Sequence, residues 1–563
     1  MCTQPRFKTV LRLSFIRNAV SALLLGALAA CGGGTNSAGG AATAPTLVSI
    51  SISPSAVALV PAATQTFTAV GKMSDDSTIN ISVQWSATAG TITQAGVYTA
   101  GSTLGVGQVT ATDLASGLAG NASVTITAQG SAAWSNPFSL PVNAIHSAML
   151  PSGKVLMFYA KHATNNAFAS LFDPATLQTV DVPPPADWNP DCVGQTFLAD
   201  GTLLMAGGTI AHRTGSNRSY IFDPQLETWV RRADMAKGRW YPTTTLLPDG
   251  RVLVTSGEDT PSKINPDVEI LDPNGQAGWQ LVGQKTIPYY SNLHVMPDGL
   301  VFMSSPLSQT ETYNPATNTW TPIATTSAPH YAAPSLLVPG APNTVMVIGG
   351  STAQETGNGT KLVELIDLSG PSPSWRTATP MNYSRVNHDA VILPDGKVFV
   401  VGGGTLIPEL FDPQSETWQT MPAHQKERGY HSSAVLLPDG RVFVAGGEGT
   451  GVNNGEIFSP PYLFLGARPG IQSAPQTLNY GSPFSLNFSS NTNTNKVILV
   501  RYSTATHSVN MEQRYVYLQD LTATGVVTVT GPANANRAPP GYYMLFVVDA
   551  NGVPSVSTSV LVN

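Results

Sequence analysis

One phrase recurs along the middle of this chain and restricts the fold more than any other feature. It reads Leu246-Leu-Pro-Asp-Gly-Arg-Val-Leu-Val254 and returns as Val295-Met-Pro-Asp-Gly-Leu-Val-Phe-Met303, Ile392-Leu-Pro-Asp-Gly-Lys-Val-Phe-Val400 and Leu436-Leu-Pro-Asp-Gly-Arg-Val-Phe-Val444. Looser copies stand at Met149–Met157 and Leu198–Met205, and a degenerate one, Leu337-Val-Pro-Gly340 followed by Thr344–Gly350, brings the number to seven. Several copies close on Gly-Gly. Most are followed by a second phrase such as Phe222-Asp-Pro with Trp229, Tyr313-Asn-Pro with Trp320, or Phe411-Asp-Pro with Trp418.

Pro-Asp-Gly supplies a tight turn between two strands. The apolar run after it is a strand buried between neighbouring units, Gly-Gly lets backbones approach closely, and the later Trp packs between units. A period of roughly 40–55 residues is that of β-propeller blades of kelch type. Seven copies predict a seven-bladed propeller over 130–459, with a channel on its axis. Short Val/Ile/Thr/Phe runs punctuated by turns, without helical periodicity, make the whole chain all-β. Before the propeller, 45–129 reads as a bacterial Ig-like domain: Val48–Ser53, Gln65–Val70 and Ser123–Ala128 alternate with period two, and Trp85, Tyr98 and Val109 are its expected core. After it, 460–563 reads as a C-terminal Ig-like β-sandwich, with strands at Lys496–Arg501 and Tyr515–Leu518.

Counting back eight residues from each turn Asp, or its equivalent, gives Ala144, Cys192, Tyr241, Tyr290, Tyr331, Asn387 and His431. Equivalent positions in successive blades lie on a ring around the axis. An inert channel would carry small or aliphatic residues there, whereas this ring carries a thiol, phenols, an amide and an imidazole. Polar side chains converging in a concavity mark a site. Imidazole with oxygen donors suits Cu(II), although one channel histidine is too few unless the C-terminal domain provides another.

The N-terminus sets the expected compartment. A basic start and the apolar run through Leu23, Leu24 and Leu25 read as a signal peptide over 1–30. Leu28-Ala29-Ala30-Cys31 resembles a bacterial lipobox, which predicts lipidation of Cys31, and 31–44 reads as a flexible tether. The expected location is the cell envelope, with the protein lipid-anchored, in the outer-membrane pattern, and facing the periplasm or the exterior. No other stretch is long and apolar enough to span a bilayer. Of three cysteines, Cys2 falls in the leader and Cys31 at the lipid, so Cys192 has no disulfide partner. Charged residues make up only 11% and the net charge is −6, which gives no basic surface for nucleic acid. A monomer is expected.

Several motifs then point to one family. Arg428-Gly-Tyr430-His431-Ser-Ser-Ala-Val-Leu-Leu-Pro-Asp-Gly resembles the last-blade motif of the galactose oxidase/glyoxal oxidase family, the copper-radical oxidases. Ser503-Thr-Ala-Thr-His507-Ser-Val-Asn-Met-Glu-Gln-Arg514 is similar to its C-terminal histidine motif. Pro539–Val547 and Gly552–Val556 are similar to its closing strands. Gly238-Arg-Trp-Tyr241-Pro-Thr-Thr resembles the blade with the cross-linked tyrosine in its glyoxal-oxidase-like form, and Asp191-Cys192 fits the cysteine partner. The resemblance runs from about Trp134 to Asn563 with its motifs in order.

It implies one copper ion held by Tyr241, Tyr430, His431 and His507. It also implies a Cys192–Tyr241 thioether as the radical cofactor, and Tyr430 as axial phenol and base. The implied reaction is two-electron oxidation of a small aldehyde or primary alcohol, with O2 reduced to H2O2. The family's ring-stacking tryptophan has no clear counterpart after Glu258, Trp240 is a candidate only by its adjacency to Tyr241, and an Ig-like domain stands in place of galactose oxidase's sugar-binding module. Both departures favour simple aldehydes or small alcohols over galactose. Tyr290, Tyr331, Asn387, His388 and Arg385 are expected on the substrate side. Two other classes compete: an inactive kelch-propeller surface binding or adhesion protein, and a propeller glycosidase or lyase, which would need paired carboxylates where only Asp191 and Asp389 stand nearby.

Overall fold

Among the described residues of the computed structural model, which are 45–160, 166–275, 277–354, 357–449 and 451–563, seven antiparallel sheets follow one another from His146, each opening on one copy of the phrase. The leader, Cys31 and the whole tether lie outside the described residues. In the third sheet Thr243–Leu246, Val252–Thr255, Asp267–Leu271 and Trp279–Gln284 pair in chain order. Its turn closes as the phrase requires: Gly250, at φ 85°, donates its N–H to the Leu247 carbonyl at 3.0 Å, and Leu247 N–H bonds Arg251 O at 2.8 Å. The conformation is one that glycine adopts without steric cost.

In three of the sheets the tryptophan of the outer strand ties the sheet to the one before it. Trp229 donates its indole N–H to Val182 O at 2.8 Å, Trp418 to Thr379 O at 2.8 Å, and Trp375 to Thr310 Oγ1 at 3.1 Å. The last sheet, Ser432–Leu436, Val442–Gly446 and Asn454–Ser459, is completed by Ala133–Trp134 and Phe138–Ser139 from the start of the propeller. Its first strand lies against His146–Met149 of the first sheet, where Ser147 and Ser433 share a hydroxyl bond of 2.7 Å. The ring is thus closed by mixing the two ends of the repeat region.

A second repeated device is buried charge. Arg239 pairs with Glu269 at 2.7 Å, Arg385 with Glu409 at 2.8 Å and Arg428 with Glu456 at 3.1 Å, all six side chains shut away from solvent. Each guanidinium also bonds a carbonyl at the end of the second strand: Ser256 O, Gly402 O and Gly446 O respectively. These bonds offset part of the cost of taking each guanidinium out of water. These arginines lie just before Tyr241, Asn387 and Tyr430–His431, so each pair pins a loop at the channel mouth.

The N-terminal domain buries Trp85, Tyr98 and Val109 between its sheets as its alternation predicts. The run Gln65–Val70 is divided into strands Thr64–Thr66 and Thr68–Met73, because Phe67 turns into the core. In the C-terminal domain Asn495–Arg501 lies between Gly541–Asp549 and Tyr515–Leu521, facing a three-stranded sheet over a core of its own. Leu47–Asn563 forms one compact unit, and among the described residues no helix is long and apolar enough to cross a membrane.

Candidate active site

The positions picked out by register share a backbone conformation that side chains rarely tolerate. Cys192, Tyr241, Tyr290, Asn387 and His431 have φ of 63°, 62°, 50°, 56° and 69°. Left-handed geometry at a non-glycine residue stores about 1–3 kcal/mol and is retained where the surroundings impose it. Here they do so through a belt of backbone bonds between adjacent loops. Tyr241 N–H donates to Cys192 O at 2.9 Å, Tyr290 N–H to Tyr241 O at 3.2 Å, and Gly447 N–H to His431 O at 2.9 Å. In the degenerate copy the member of this belt is Ala332, at φ 50°, whose carbonyl accepts from Asn387 N–H at 3.0 Å. The count that selected Tyr331 is therefore one residue off, because that copy has lost a turn residue.

His507 arrives from the C-terminal domain. Strand Thr504–Thr506 adds to the first sheet beside His146–Met149, and the chain then reverses through His507 and Ser508, at φ 48° and 67°. Beyond the tip the segment is clamped to the inner strands. Glu512 Oε1 accepts from Phe197 N–H at 2.8 Å and Thr196 Oγ1 at 2.6 Å. Gln513 exchanges bonds of 2.8 Å with Ile392 N–H and Ala390 O, and Arg514 donates to Val295 O at 2.7 Å. This finger enters the propeller axis. The polar run Glu512-Gln513-Arg514, unusual so near a buried strand, was its signal in the sequence.

At the tip four predicted donors converge. The His507 ring centre is 4.9 Å from that of Tyr241, 5.3 Å from Tyr430 and 4.7 Å from His431. Tyr430 and His431 stack at 3.9 Å, and the Tyr241 and Tyr430 hydroxyls are hydrogen-bonded. His507 Nδ1 bonds Thr506 Oγ1 at 2.6 Å, so a metal bond from this ring would be through Nε2. Cys192 is fully buried in the same apolar cluster as Tyr241 and Trp240. Burial pushes the Tyr241 and Tyr430 phenols and the Cys192 thiol up, the first two further raised by the Cys192 sulfur. Two phenols and two imidazoles form a set that fits Cu(II), and a bound dication would reverse the upward push on the phenols. Among the described residues no group of three His, Cys, Asp or Glu side chains could hold a metal, so metal binding here depends on the tyrosines.

Above these donors opens a cavity of about 500 Å³. Tyr290, Tyr331 and Asn387 line it as expected. Arg385 and His388 do not: Arg385 is taken up by Glu409, and His388 is buried behind the loop with its imidazole held well below the usual range by burial. Over the Tyr241 ring lies Tyr289, stacked at 5.5 Å and 27°, while Trp240 meets that ring edge-on at 4.0 Å and 70°. Stacking thus comes from the next loop, which adjacency in sequence could not reveal. His146 was also missed. It is fully buried, its Nε2 accepts from Cys192 N–H at 3.3 Å, its ring stands 5.7 Å from His507, and burial lowers it to about 4. The first copy carries only Ala144 on the belt, which masked the imidazole two residues on.

Asp389 is enclosed on the strand His388–Ile392, and burial pushes its carboxyl up to about 8 against a 2.9 Å bond from Ser432 Oγ and the charge of Arg428. A raised carboxyl is held protonated in the fold when the unfolded chain has already released it. Its contribution is therefore intact below about pH 4 and is lost as pH rises through 8. Asp389→Asn is expected to match the natural protein near pH 4 and to exceed it by about 2–5 kcal/mol at pH 8, at 1.36 kcal/mol per unit. Thermal melts at the two pH values check this.

The family model Glyoxal oxidase N-terminus matches residues 160–457, and Galactose oxidase-like, Early set domain matches 468–562. The chain is 28% identical to a galactose oxidase of Gibberella zeae over 78% of its own length and 72% of that protein's. It is 27% identical to aldehyde oxidase GLOX1 of Arabidopsis thaliana over 65% of this chain and 70% of that one. A fungal alcohol oxidase solved in complex with copper, 24% identical, superposes with a TM-score of 0.69 over 77% of this chain and 99% of its own, which establishes the shared fold.

Proposed function

Since this chain belongs to the glyoxal oxidase family, we propose that it is a copper-radical oxidase. It removes two electrons from a small primary alcohol, or from an aldehyde as its hydrate, and reduces dioxygen to hydrogen peroxide. The observation that carries this reading is the meeting of Tyr241, Tyr430, His431 and His507 beside buried Cys192 at the floor of one cavity. These four residues would hold one copper ion, and Cys192 would be joined to Tyr241 by a thioether.

Copper and the sulfur-substituted ring each supply a one-electron change, which together match a two-electron oxidation. The chain's own groups do the rest. Tyr430, already hydrogen-bonded to Tyr241, would receive the substrate hydroxyl proton as a phenolate, the form that a bound dication favours. Tyr289 covers one face of Tyr241 and Trp240 its edge, excluding water from the ring that is oxidised. Thr506 fixes the His507 ring through Nδ1. Asn387 and Tyr331 offer polar contacts to a hydroxylated substrate, and a cavity of about 500 Å³ with aromatic walls suits a small one. The protein acts as a monomer, lipid-anchored through Cys31 in the cell envelope.

Peptide mass spectrometry tests this on soluble protein treated with Cu(II) in air. A peptide pair linked through Cys192 and Tyr241, short of two hydrogens and absent in Cys192→Ser, is the expected result. Unlinked peptides from copper-loaded protein would refute the radical centre and favour a surface binding protein.

A further inference from the structure

Forming the link requires a proton to leave a thiol that has no water around it. Cys192 is fully buried, and the carboxylate of the residue before it faces its thiol. The thiol donates to Asp191 Oδ2 at 3.4 Å. Asp191 is itself only 1% exposed. Its own backbone is fixed at both ends: the N–H donates to Asn189 Oδ1 at 2.9 Å, and the carbonyl accepts from Thr209 Oγ1 at 3.0 Å. The two residues to be joined are held in register by the bond from Tyr241 N–H to Cys192 O. On the other side, Cys192 N–H donates to His146 Nε2, which leaves the imidazole proton on Nδ1 and makes His146 a donor rather than a base toward its remaining neighbours.

We propose that Asp191 is the base that accepts the Cys192 thiol proton while the Cys192–Tyr241 link forms; the proposal rests on the oxidase reading above. The coupling replaces the thiol S–H and one ring C–H beside the Tyr241 hydroxyl by a C–S bond. Two electrons and two protons are released, and both go to dioxygen, giving hydrogen peroxide. The thiol proton passes by way of the Asp191 carboxylate, which is regenerated. Asp191 thus serves the maturation of the site and not its later turnover.

The test starts from full-length soluble protein prepared without copper, as the natural chain, Asp191→Asn and Asp191→Glu. Cu(II) is added in air and the linked fraction is followed by peptide mass spectrometry. Asp191→Asn is expected to bind copper and melt as the natural protein does, yet to link at least about a hundredfold more slowly, the lower end of the range for a lost general base. Asp191→Glu is expected to recover part of the rate. Folded, copper-bound Asp191→Asn that links at the natural rate overturns the role of Asp191 while leaving the oxidase reading intact. No link in any protein, the natural one included, overturns both. If Asp191→Asn does not fold, the solvent deuterium effect on linking in the natural protein decides: slower linking in heavy water supports the transfer, and an unchanged rate overturns it.

Discussion

His507→Ala is expected to lower copper affinity by at least about a hundredfold, more than the loss of a supporting neighbour of a ligand costs, and to bring oxidase turnover below detection. The fold is expected to survive. His507 sits at the reversal of the finger, and the clamps that hold the finger, Glu512, Gln513 and Arg514, lie beyond it. Alanine keeps the Cβ that makes φ 48° costly, so the backbone strain at this position is unchanged. Copper titration followed by visible absorption, with a melting curve on the same sample, separates lost metal from lost structure. Undiminished copper affinity in a folded variant would remove His507 from the ligand set.

The second large effect concerns stability. Arg428→Met leaves Glu456 buried with its charge uncompensated by any guanidinium, since Arg428 Nη2 is its ion-pair partner. Breaking a buried pair from one side costs about 3–5 kcal/mol. Adding Glu456→Gln to Arg428→Met is expected to recover much of that, because the stranded charge is gone. The double variant still lacks the guanidinium bonds to Gly446 O and Asn454 Oδ1 that anchor the loop ahead of Tyr430 and His431. Stability and copper affinity should therefore part company: the double variant is expected to unfold near the natural midpoint in urea while binding copper more weakly. Equal losses in both would mean that the pair serves the core alone.

The repeat made the architecture legible because a turn such as Pro-Asp-Gly and the strand after it are local chemistry, written within nine residues each time. The same counting located Cys192, Tyr241 and His431, since a fixed distance from a turn is a fixed place on a sheet. It failed where the local spelling changed. The copy ending in Pro339-Gly340 lacks a turn residue, so Ala332 and not Tyr331 holds the belt position. His507 has no such register. Its flanking motif singled it out, and only long-range packing of the finger explains how it reaches the channel. Arg385 and His388 stand close to Asn387 in sequence, but their side chains turn away from the cavity, Arg385 toward Glu409 and His388 into the interior. Tyr289 and His146 depend on which loop lies next to which, and that relation is three-dimensional.

The closure of the ring also dictates when the site can come into being. The last sheet needs Ala133–Trp134 and Phe138–Ser139 at its outer edge, and the first sheet is extended at its inner edge by Thr504–Thr506. A nascent chain that has delivered only the earlier blades has an open edge at each side and lacks one imidazole. With the proposed ligand set, full copper capture would wait for the C-terminal domain, and an intact copper spectrum would report that the chain from residue 133 to the finger has been assembled. Truncated or stalled products carry no oxidising centre, so the architecture itself keeps peroxide chemistry out of unfinished molecules.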